Sequence, residues 1–305
     1  MATAYLFPGQ GSQYVGMGRD AYEGNSSARA FFDEADALIG FKLSELAFSG
    51  PEEQLKDTVF QQPALFVASM ANWQSMRDEG WPEAEFLAGH SLGEFAALVA
   101  AGSLTFGDGL KLVRKRGELM KLAGEQSPGA MAAVLALPVE QIALLCAQTE
   151  EETGLLVQVA NDNCPGQVVI SGHEKALQRA VELAHDAGAR RTVRLPISIA
   201  AHSYLMDSVS SAFAEAVDEV PLREPQIPVI GNVTARPVQK VEEIRSELKA
   251  QLTSPVSWTN SMRYLLDAGS DTFVEAGPNN VLLGLLKRID RRVKRVAFDK
   301  GPDKI

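Results

Sequence analysis

The feature that most constrains the fold of this chain is the segment Gly89-His90-Ser91-Leu92-Gly93. An apolar run, Phe86-Leu87-Ala88, precedes it and predicts the end of a buried strand, whereas residues 94–101 are rich in Ala and Leu and predict a helix. Glycines two residues before and after the serine let strand and helix approach closely. The sequence therefore predicts a nucleophile elbow at Ser91, although a serine that caps a helix between incidental glycines is an alternative.

Composition narrows the class of protein. The chain has 305 residues, of which 46% are hydrophobic, so it can bury a large core in one big domain or two smaller ones. Its formal net charge of −10 argues against a general nucleic-acid-binding protein. There is no run of about 18 uncharged apolar residues. The first residues show no basic or cleavage-type segment, so we expect a cytoplasmic protein with no membrane partner.

The cysteines give no sign of a disulfide framework or a metal site. Cys146 lies in a predicted helix, and Cys164 directly precedes a proline. Their spacing matches no set of metal ligands, and two cysteines in a chain of this size are typical of a reducing compartment. We therefore expect a site without metal.

Residues 129–196 have a secondary-structure pattern of their own. Strand, helix, strand, strand, helix and strand follow one another between Pro128-Gly129 and Pro196. This order is typical of a small ferredoxin-like domain. We expect it to interrupt a larger domain that comprises residues 1–128 and 197–305.

His202 is the best candidate for a base that activates Ser91. It lies where an apolar loop meets a predicted helix. His173 and His185 lie in the small domain, and His90 is expected to point to the side opposite the serine. A histidine at a helix start without a chemical role is the alternative.

Two further residues are candidates for groups around the serine. Gln10 stands between glycines in a turn, and such a turn can present a main-chain N–H or an amide to a neighbouring site. The turn lacks the Lys-Ser/Thr pair of a phosphate-binding loop, which disfavours nucleotide binding. Arg116 shares a helix face with Leu112 and Met120 and can point inward, although a surface arginine is the commoner case.

Three separated segments carry a resemblance to a known family. They are Phe7-Pro8-Gly9-Gln10-Gly11-Ser12-Gln13, Gly89-His90-Ser91-Leu92-Gly93-Glu94, and Ala201-His202 with Met206 four residues on. Shorter stretches agree along nearly the whole chain, among them Gln61-Gln62-Pro63, where we expect a helix to start, and Lys115-Arg116-Gly117. Together they resemble the malonyl-CoA:acyl carrier protein transacylase family. The resemblance implies an α/β fold, a hydrolase-like large domain with a parallel sheet, interrupted by a small ferredoxin-like (βαββαβ) domain.

The resemblance implies a Ser-His dyad rather than a triad. Ser91 corresponds to the serine that is acylated, and His202 corresponds to the general base. A main-chain carbonyl near Gln251 is expected to orient His202, so that no Asp or Glu is needed.

Substrate binding is also implied by the resemblance. Arg116 corresponds to the arginine that pairs with the free carboxylate of malonate. The main-chain N–H groups of Gln10 and Leu92 correspond to the oxyanion hole. Ala200-Ala201 stands before His202 where many members carry a Ser-His or Phe-His pair, so we expect a somewhat wider acyl pocket.

The implied substrates are malonyl-CoA and an acyl carrier protein, with no cofactor and a monomeric enzyme. Because carrier proteins of this kind are usually acidic, a basic cluster is a candidate docking surface, and a solvated helix end is the alternative. The cluster comprises Lys287, Arg288, Arg291, Arg292, Lys294 and Arg295, with Lys111 and Lys115.

Other functions on the same core stay open. A stand-alone acyltransferase that serves a polyketide synthase and an acyl hydrolase both fit the motifs. A non-catalytic docking module with a vestigial site is a third alternative, and the intact Ser91, His202 and Arg116 count against it.

Overall fold

A computed structural model describes residues 2–298 and 301. Its strands are β1 (Ala2–Phe7), β2 (Phe86–Gly89), β3 (Gly129–Leu135), β4 (Val157–Cys164), β5 (Gln167–His173), β6 (Arg191–Arg194), β7 (Val229–Ile230), β8 (Pro237–Val238), β9 (Ser270–Glu275) and β10 (Lys294–Ala297). Its α-helices are α1 (Arg19–Gly24), α2 (Ser26–Ile39), α3 (Leu43–Ser49), α4 (Glu52–Lys56), α5 (Thr58–Asp78), α6 (Gly93–Ala100), α7 (Phe106–Gln126), α8 (Val139–Thr153), α9 (Glu174–Asp186), α10 (Asp207–Glu219), α11 (Val241–Ala250), α12 (Trp258–Asp267) and α13 (Val281–Ile289).

The larger sheet places the elbow. Its strands run in the order β10-β9-β1-β2-β7-β8, and all neighbours except β7 and β8 pair in parallel. Strand β1 is buried from Thr3 to Phe7, as expected for a central strand covered on both faces. Phe7 pairs with Gly89, so the loops that follow β1 and β2 open side by side. Ligands of open parallel sheets bind at this edge.

The smaller sheet is formed entirely within residues 129–194. Its order is β4-β5-β3-β6, with every pair antiparallel and with α8 and α9 in the connections. The predicted fold class is therefore confirmed. All strands of the larger sheet lie within residues 1–128 and 197–305, and all strands of the smaller sheet lie within residues 129–196. Main-chain hydrogen bonds join Val256 to Ala160 and Asp162 of β4, at 2.8 and 3.0 Å, and fix this sheet beside the elbow.

Two predicted elements differ from those observed. Helix α5 begins at Thr58 rather than at Gln61, because the Asp57 side chain caps it by accepting the Val59 N–H. Strand β10 was not predicted from the basic stretch that contains it, yet it pairs in parallel with β9.

The last positions of the predicted large domain, 302–305, lie outside the described residues. No helix within the described ranges is long and apolar enough to cross a membrane.

Glycine is required at the elbow by the close approach of two main chains. A Cβ at Gly89 would collide with the main chain of Gly93 and Glu94, and a Cβ at Gly93 would collide with the carbonyl of Phe7. Side chains at either position would force strand and helix apart.

We therefore expect Gly89→Ala to lower the free energy of unfolding by about 1–3 kcal/mol or more, because the added methyl cannot be accommodated without main-chain movement. Gly24→Ala, at the exposed end of α1 with open space around it, is the control and should change stability by less than about 0.5 kcal/mol. Urea unfolding of both variants measures this difference. Equal transitions would contradict the requirement for close approach.

Candidate active site

Ser91 is held in a strained conformation between β2 and α6. Its φ angle is +53°, a left-handed region that serine rarely adopts. Asn232, in the loop after β7, stabilises the turn. Its side-chain oxygen accepts the Ser91 N–H at 2.7 Å, and its amide donates to the Gly89 carbonyl at 2.7 Å. These bonds keep the serine on the turn as a nucleophile elbow requires.

His202 contacts the serine with the ring nitrogen that lacks a proton. Its Nε2 lies 2.8 Å from Ser91 Oγ, and its Nδ1 lies 2.9 Å from the Gln251 carbonyl oxygen and 3.1 Å from that of Ser254. Because carbonyl oxygens only accept, Nδ1 carries the proton and donates. The lone pair of Nε2 is then left to accept the proton of the Ser91 hydroxyl.

The pKa of His202 is far below that of a free histidine. Burial, the positive charge of Arg116 and the neighbouring His90 together lower the pKa to about 3, and the hydrogen bonds to the Gln251 and Ser254 carbonyls oppose that fall. The imidazole is therefore neutral at neutral pH and available as a base. The same shift makes folding sensitive to acid, because an unfolded histidine takes up a proton below its ordinary pKa of about 6.5 and the buried one does not.

Arg116 points inward and has acceptors on three segments. Its Nη1 donates to Gln62 Oε1 at 2.8 Å, its Nε donates to Gln251 Oε1 at 3.0 Å, and its Nη2 donates to Ser91 Oγ at 2.9 Å. The side chain is only 2% exposed, so the surface alternative is wrong. Burial lowers its pKa to about 10, which leaves the guanidinium charged at neutral pH.

A buried carboxylate lies behind these groups. Gln251 Nε2 donates to Ser91 O at 3.1 Å and to Glu94 Oε2, and Glu94 Oε1 accepts the Asn232 main-chain N–H at 3.1 Å. Burial and the nearby charge of Glu247 raise the pKa of Glu94 well above its usual value, while the bonds from Gln251 and Asn232 oppose that rise.

Ser91 opens into a cavity of about 370 Å³ whose walls are mainly apolar. The cavity is lined by Gln10, Gly11, Gln13, Lys56, Gln61, Gln62, His90, Ser91, Leu92, Arg116, Met120, Met131, Asn161, Leu195, Pro196, Ile197, Ala201 and His202. His90 was expected on the opposite side, but it lies here, because Asn163 of β4 reaches its Nε2 at 2.8 Å. The residues predicted around the serine are thus brought together, with Gln251 directly behind them.

Two main-chain donors at this cavity are available for a ligand. Within residues 2–298 and 301, the N–H groups of Gln10 and Leu92 donate to no acceptor. Leu92 precedes the first turn of α6, where main-chain N–H groups have no partner inside the helix. Such a pair can stabilise an oxygen that becomes negative during attack by Ser91.

Comparison with known proteins identifies the family to which the chain belongs. The model of the acyl transferase domain family matches residues 4–297. The chain belongs to this acyltransferase family. It is 45% identical to the malonyl CoA-acyl carrier protein transacylase of Bacillus subtilis, over 96% of this chain and 92% of that protein. It is 39% identical to the Staphylococcus aureus protein of the same name, over 99% and 96% of the two chains.

Solved structures of acyltransferases show the same fold. The malonyl CoA-acyl carrier protein transacylase of Coxiella burnetii superposes with a TM-score of 0.96 at 37% identity, over 100% of this chain and 95% of that one. A malonyl-transacylase solved in complex with a type II PKS acyl-carrier protein gives a TM-score of 0.93 at 38% identity, over 97% and 95% of the chains. The predicted family is therefore confirmed.

Two arginines of the basic cluster of this acyltransferase make hydrogen bonds or ion pairs with other residues of the same chain. Arg288 donates to Gln167 Oε1 at 2.6 Å and to the Gly166 carbonyl at 3.0 Å, in the turn between β4 and β5. Arg292 pairs with Asp290 at 2.6 Å. Arg288 therefore fastens α13 to the smaller sheet, which is a structural role.

Four residues hold the candidate catalytic groups without having been assigned a role from the sequence. They are Gln62, Glu94, Gln158 and Asn232. Gln62 and Glu94 stand inside recognised motifs, so a signal was present. Gln158 lies in a strand pattern, and its amide donates to the carbonyls of His202 and Thr253 at 3.3 Å each. No sequence motif marked Gln158, because its contacts are with segments that are far apart from it in the chain.

We expect nitrogen NMR of the imidazoles to show His202 protonated on Nδ1 and neutral down to pH 5, because its pKa is about 3. Arg116→Ala should raise this pKa, since it removes a positive charge that disfavours the imidazolium. The pKa of His202 is measured by NMR titration of the unmodified protein and of Arg116→Ala, with folding checked at each pH. A His202 that titrates near pH 6.5 in the unmodified protein would contradict the proposed geometry.

Proposed function

We propose that this acyltransferase transfers a malonyl group from malonyl-CoA, through an acyl-enzyme on Ser91, to the phosphopantetheine thiol of an acyl carrier protein. The observation that carries this proposal is the buried guanidinium of Arg116, 2.9 Å from the serine oxygen. A cation in this place suits an acyl group that ends in a carboxylate. A neutral acyl group would leave that buried positive charge with neutral acceptors only. The names of the relatives support the same donor and acceptor.

The hydrogen bonds of Arg116 explain how a carboxylate is received. A guanidinium has five N–H donors, and one each on Nε, Nη1 and Nη2 is already used by Gln251, Gln62 and Ser91. One N–H is left on each terminal nitrogen. These two N–H groups can pair with the two oxygens of a carboxylate, for which the planar guanidinium is better suited than the single charge of lysine.

Acylation follows from the dyad. His202 Nε2 takes the Ser91 proton as Oγ attacks the thioester carbon, and the N–H groups of Gln10 and Leu92 stabilise the oxyanion. The C–S bond then breaks, and the imidazolium returns the proton to the departing CoA thiolate. The malonyl ester remains on Ser91.

Transfer to the carrier reverses these steps. The carrier's thiol gives its proton to His202 and attacks the ester carbon, and the C–O bond to Ser91 breaks as the serine regains a proton. The side chains of Met120, Met131, Leu195 and Ile197 form apolar walls around the ester. Because such walls hold little ordered water, transfer is favoured over hydrolysis.

The proposal extends to the pathway, the cellular location and the oligomeric state of the enzyme. The carrier serves fatty-acid or polyketide synthesis, and the enzyme works as a cytoplasmic monomer without a cofactor or a metal. Similarity to a structure with a polyketide carrier favours testing carriers from both pathways.

The adduct experiment tests this function directly. Mass spectrometry after incubation with malonyl-CoA should show a malonyl group on Ser91, because the dyad activates that oxygen, and Ser91→Ala should show none. Addition of a carrier protein should move the group to its thiol. Release of free malonate instead would establish a hydrolase, and a folded protein without an adduct would establish a docking module.

The preference for malonyl-CoA over acetyl-CoA tests whether the Arg116 guanidinium binds the carboxylate of the acyl group. Arg116→Ala should reduce acylation by malonyl-CoA about 100-fold and acylation by acetyl-CoA much less, because charge-assisted hydrogen bonds to the carboxylate are lost. Lys121→Ala is the control, since this cation of the same helix lies at the surface beside Asp57. Rates of adduct formation with the two thioesters measure the ratio. Equal losses on both would remove Arg116 from substrate recognition.

A further inference from the structure

Glu94 is a buried carboxylate that the reaction described above does not use. It is 1% exposed and lies three residues after the nucleophile, in the first turn of α6. We propose that Glu94 is a positioning residue that sets the orientation of the Gln251 amide and thereby places Arg116 for a carboxylate-bearing acyl group. This inference rests on the proposed function and adds to it a determinant of acyl selectivity.

Both oxygens of Glu94 face donors. Oε2 accepts from Gln251 Nε2, and Oε1 accepts the main-chain N–H of Asn232 at 3.1 Å. Asn232 in turn holds the Ser91 N–H. The carboxylate therefore joins the loop after β7 to the residue that follows α11.

The contacts of Gln251 allow only one orientation of its amide. Its Nε2 end faces two acceptors, Glu94 Oε2 and the Ser91 carbonyl oxygen at 3.1 Å. Its Oε1 end faces the Nε–H of Arg116 at 3.0 Å. Rotating the amide by half a turn would put NH₂ against the guanidinium and oxygen against two acceptors. Glu94 and the Ser91 carbonyl thus together turn the oxygen of the Gln251 amide toward Arg116, and Glu94 is the only side chain of the two acceptors.

A carboxylate is needed at position 94 because two hydrogen-bond donors face its two oxygens. Glutamine has almost the same volume, but it offers one acceptor and one donor. In Glu94→Gln, the NH₂ group must face either Gln251 Nε2 or the Asn232 N–H, and both are donors. A group that only filled space would tolerate the exchange, whereas a group that orients Gln251 would not.

An alternative role for Glu94 makes the opposite prediction. If its charge mainly competed with the substrate carboxylate for Arg116, removing that charge would improve acylation by malonyl-CoA. The sign of the effect on malonyl-CoA therefore separates orientation from competition.

The test compares Glu94→Gln with Glu275→Gln. Glu275 is also buried and accepts two main-chain N–H groups, from Leu282 at 3.2 Å and Leu283 at 3.0 Å, at the start of α13. We expect Glu94→Gln to lower kcat/KM for malonyl-CoA about 10- to 100-fold relative to acetyl-CoA, as the loss of one charge-assisted hydrogen bond would. Glu275→Gln should leave the ratio of the two kcat/KM values unchanged. An unchanged or increased preference for malonyl-CoA in Glu94→Gln overturns the proposal.

A double-mutant cycle tests whether Glu94 acts through Gln251. Gln251→Met removes the amide at similar volume, so adding Glu94→Gln should not change the malonyl-to-acetyl ratio further. Additive losses in the ratio overturn the proposal. If Glu94→Gln does not fold, Glu94→Asp takes its place in the cycle, because it keeps two acceptor oxygens on a shorter arm. It should lower the ratio less than Gln251→Met, and any larger loss overturns the proposal.

Failure of the role of Glu94 and failure of the proposed function give different results. Failure of the unmodified enzyme to form a malonyl adduct on Ser91 would overturn the function itself. A normal adduct with an unaltered ratio in Glu94→Gln would overturn only the role of Glu94.

Discussion

A guanidinium that is buried away from water must find acceptors for its N–H groups, and Arg116 finds them on three segments that are distant in sequence. Gln62 lies in α5, Gln251 follows α11, and Ser91 lies on the elbow. Leaving any of these donors unpaired would cost roughly 1–3 kcal/mol or more. Packing of α5, α7 and the large sheet must therefore bring these acceptors within hydrogen-bond distance, and the same packing assembles the site.

The charge of Arg116 also sets the chemistry around it. After burial, which is the larger cause, it lowers the pKa of His202 and so helps to keep the imidazole neutral, and it donates to Ser91 Oγ, which contacts that imidazole. In the proposed reaction, the carboxylate of the acyl group pairs with this cation beside the nucleophile. In that reaction, recognition of the substrate and activation of the serine both involve Arg116, which Gln62 and Gln251 hold in place.

Local sequence patterns predicted the parts of the structure that depend on neighbouring residues. The elbow at Ser91 and the βαββαβ order after Gly129 follow from glycine spacing and hydrophobic periodicity, and both are observed. Strand β10 was missed because its residues are largely basic and its pairing with β9 comes from elsewhere in the chain. His90 was misplaced because its partner, Asn163, belongs to the smaller sheet.

The sequence by itself determined the fold class, the candidate nucleophile and the candidate base, since each is encoded in a short motif or a regular pattern. Only the tertiary structure decided that Arg116 points inward, that Gln158 and Asn232 hold the His202 and Ser91 loops, and that Glu94 faces Gln251. The physical reason is that each of these is a hydrogen bond or a burial between segments far apart in the chain. Such contacts exist only once the two sheets and their helices have packed together.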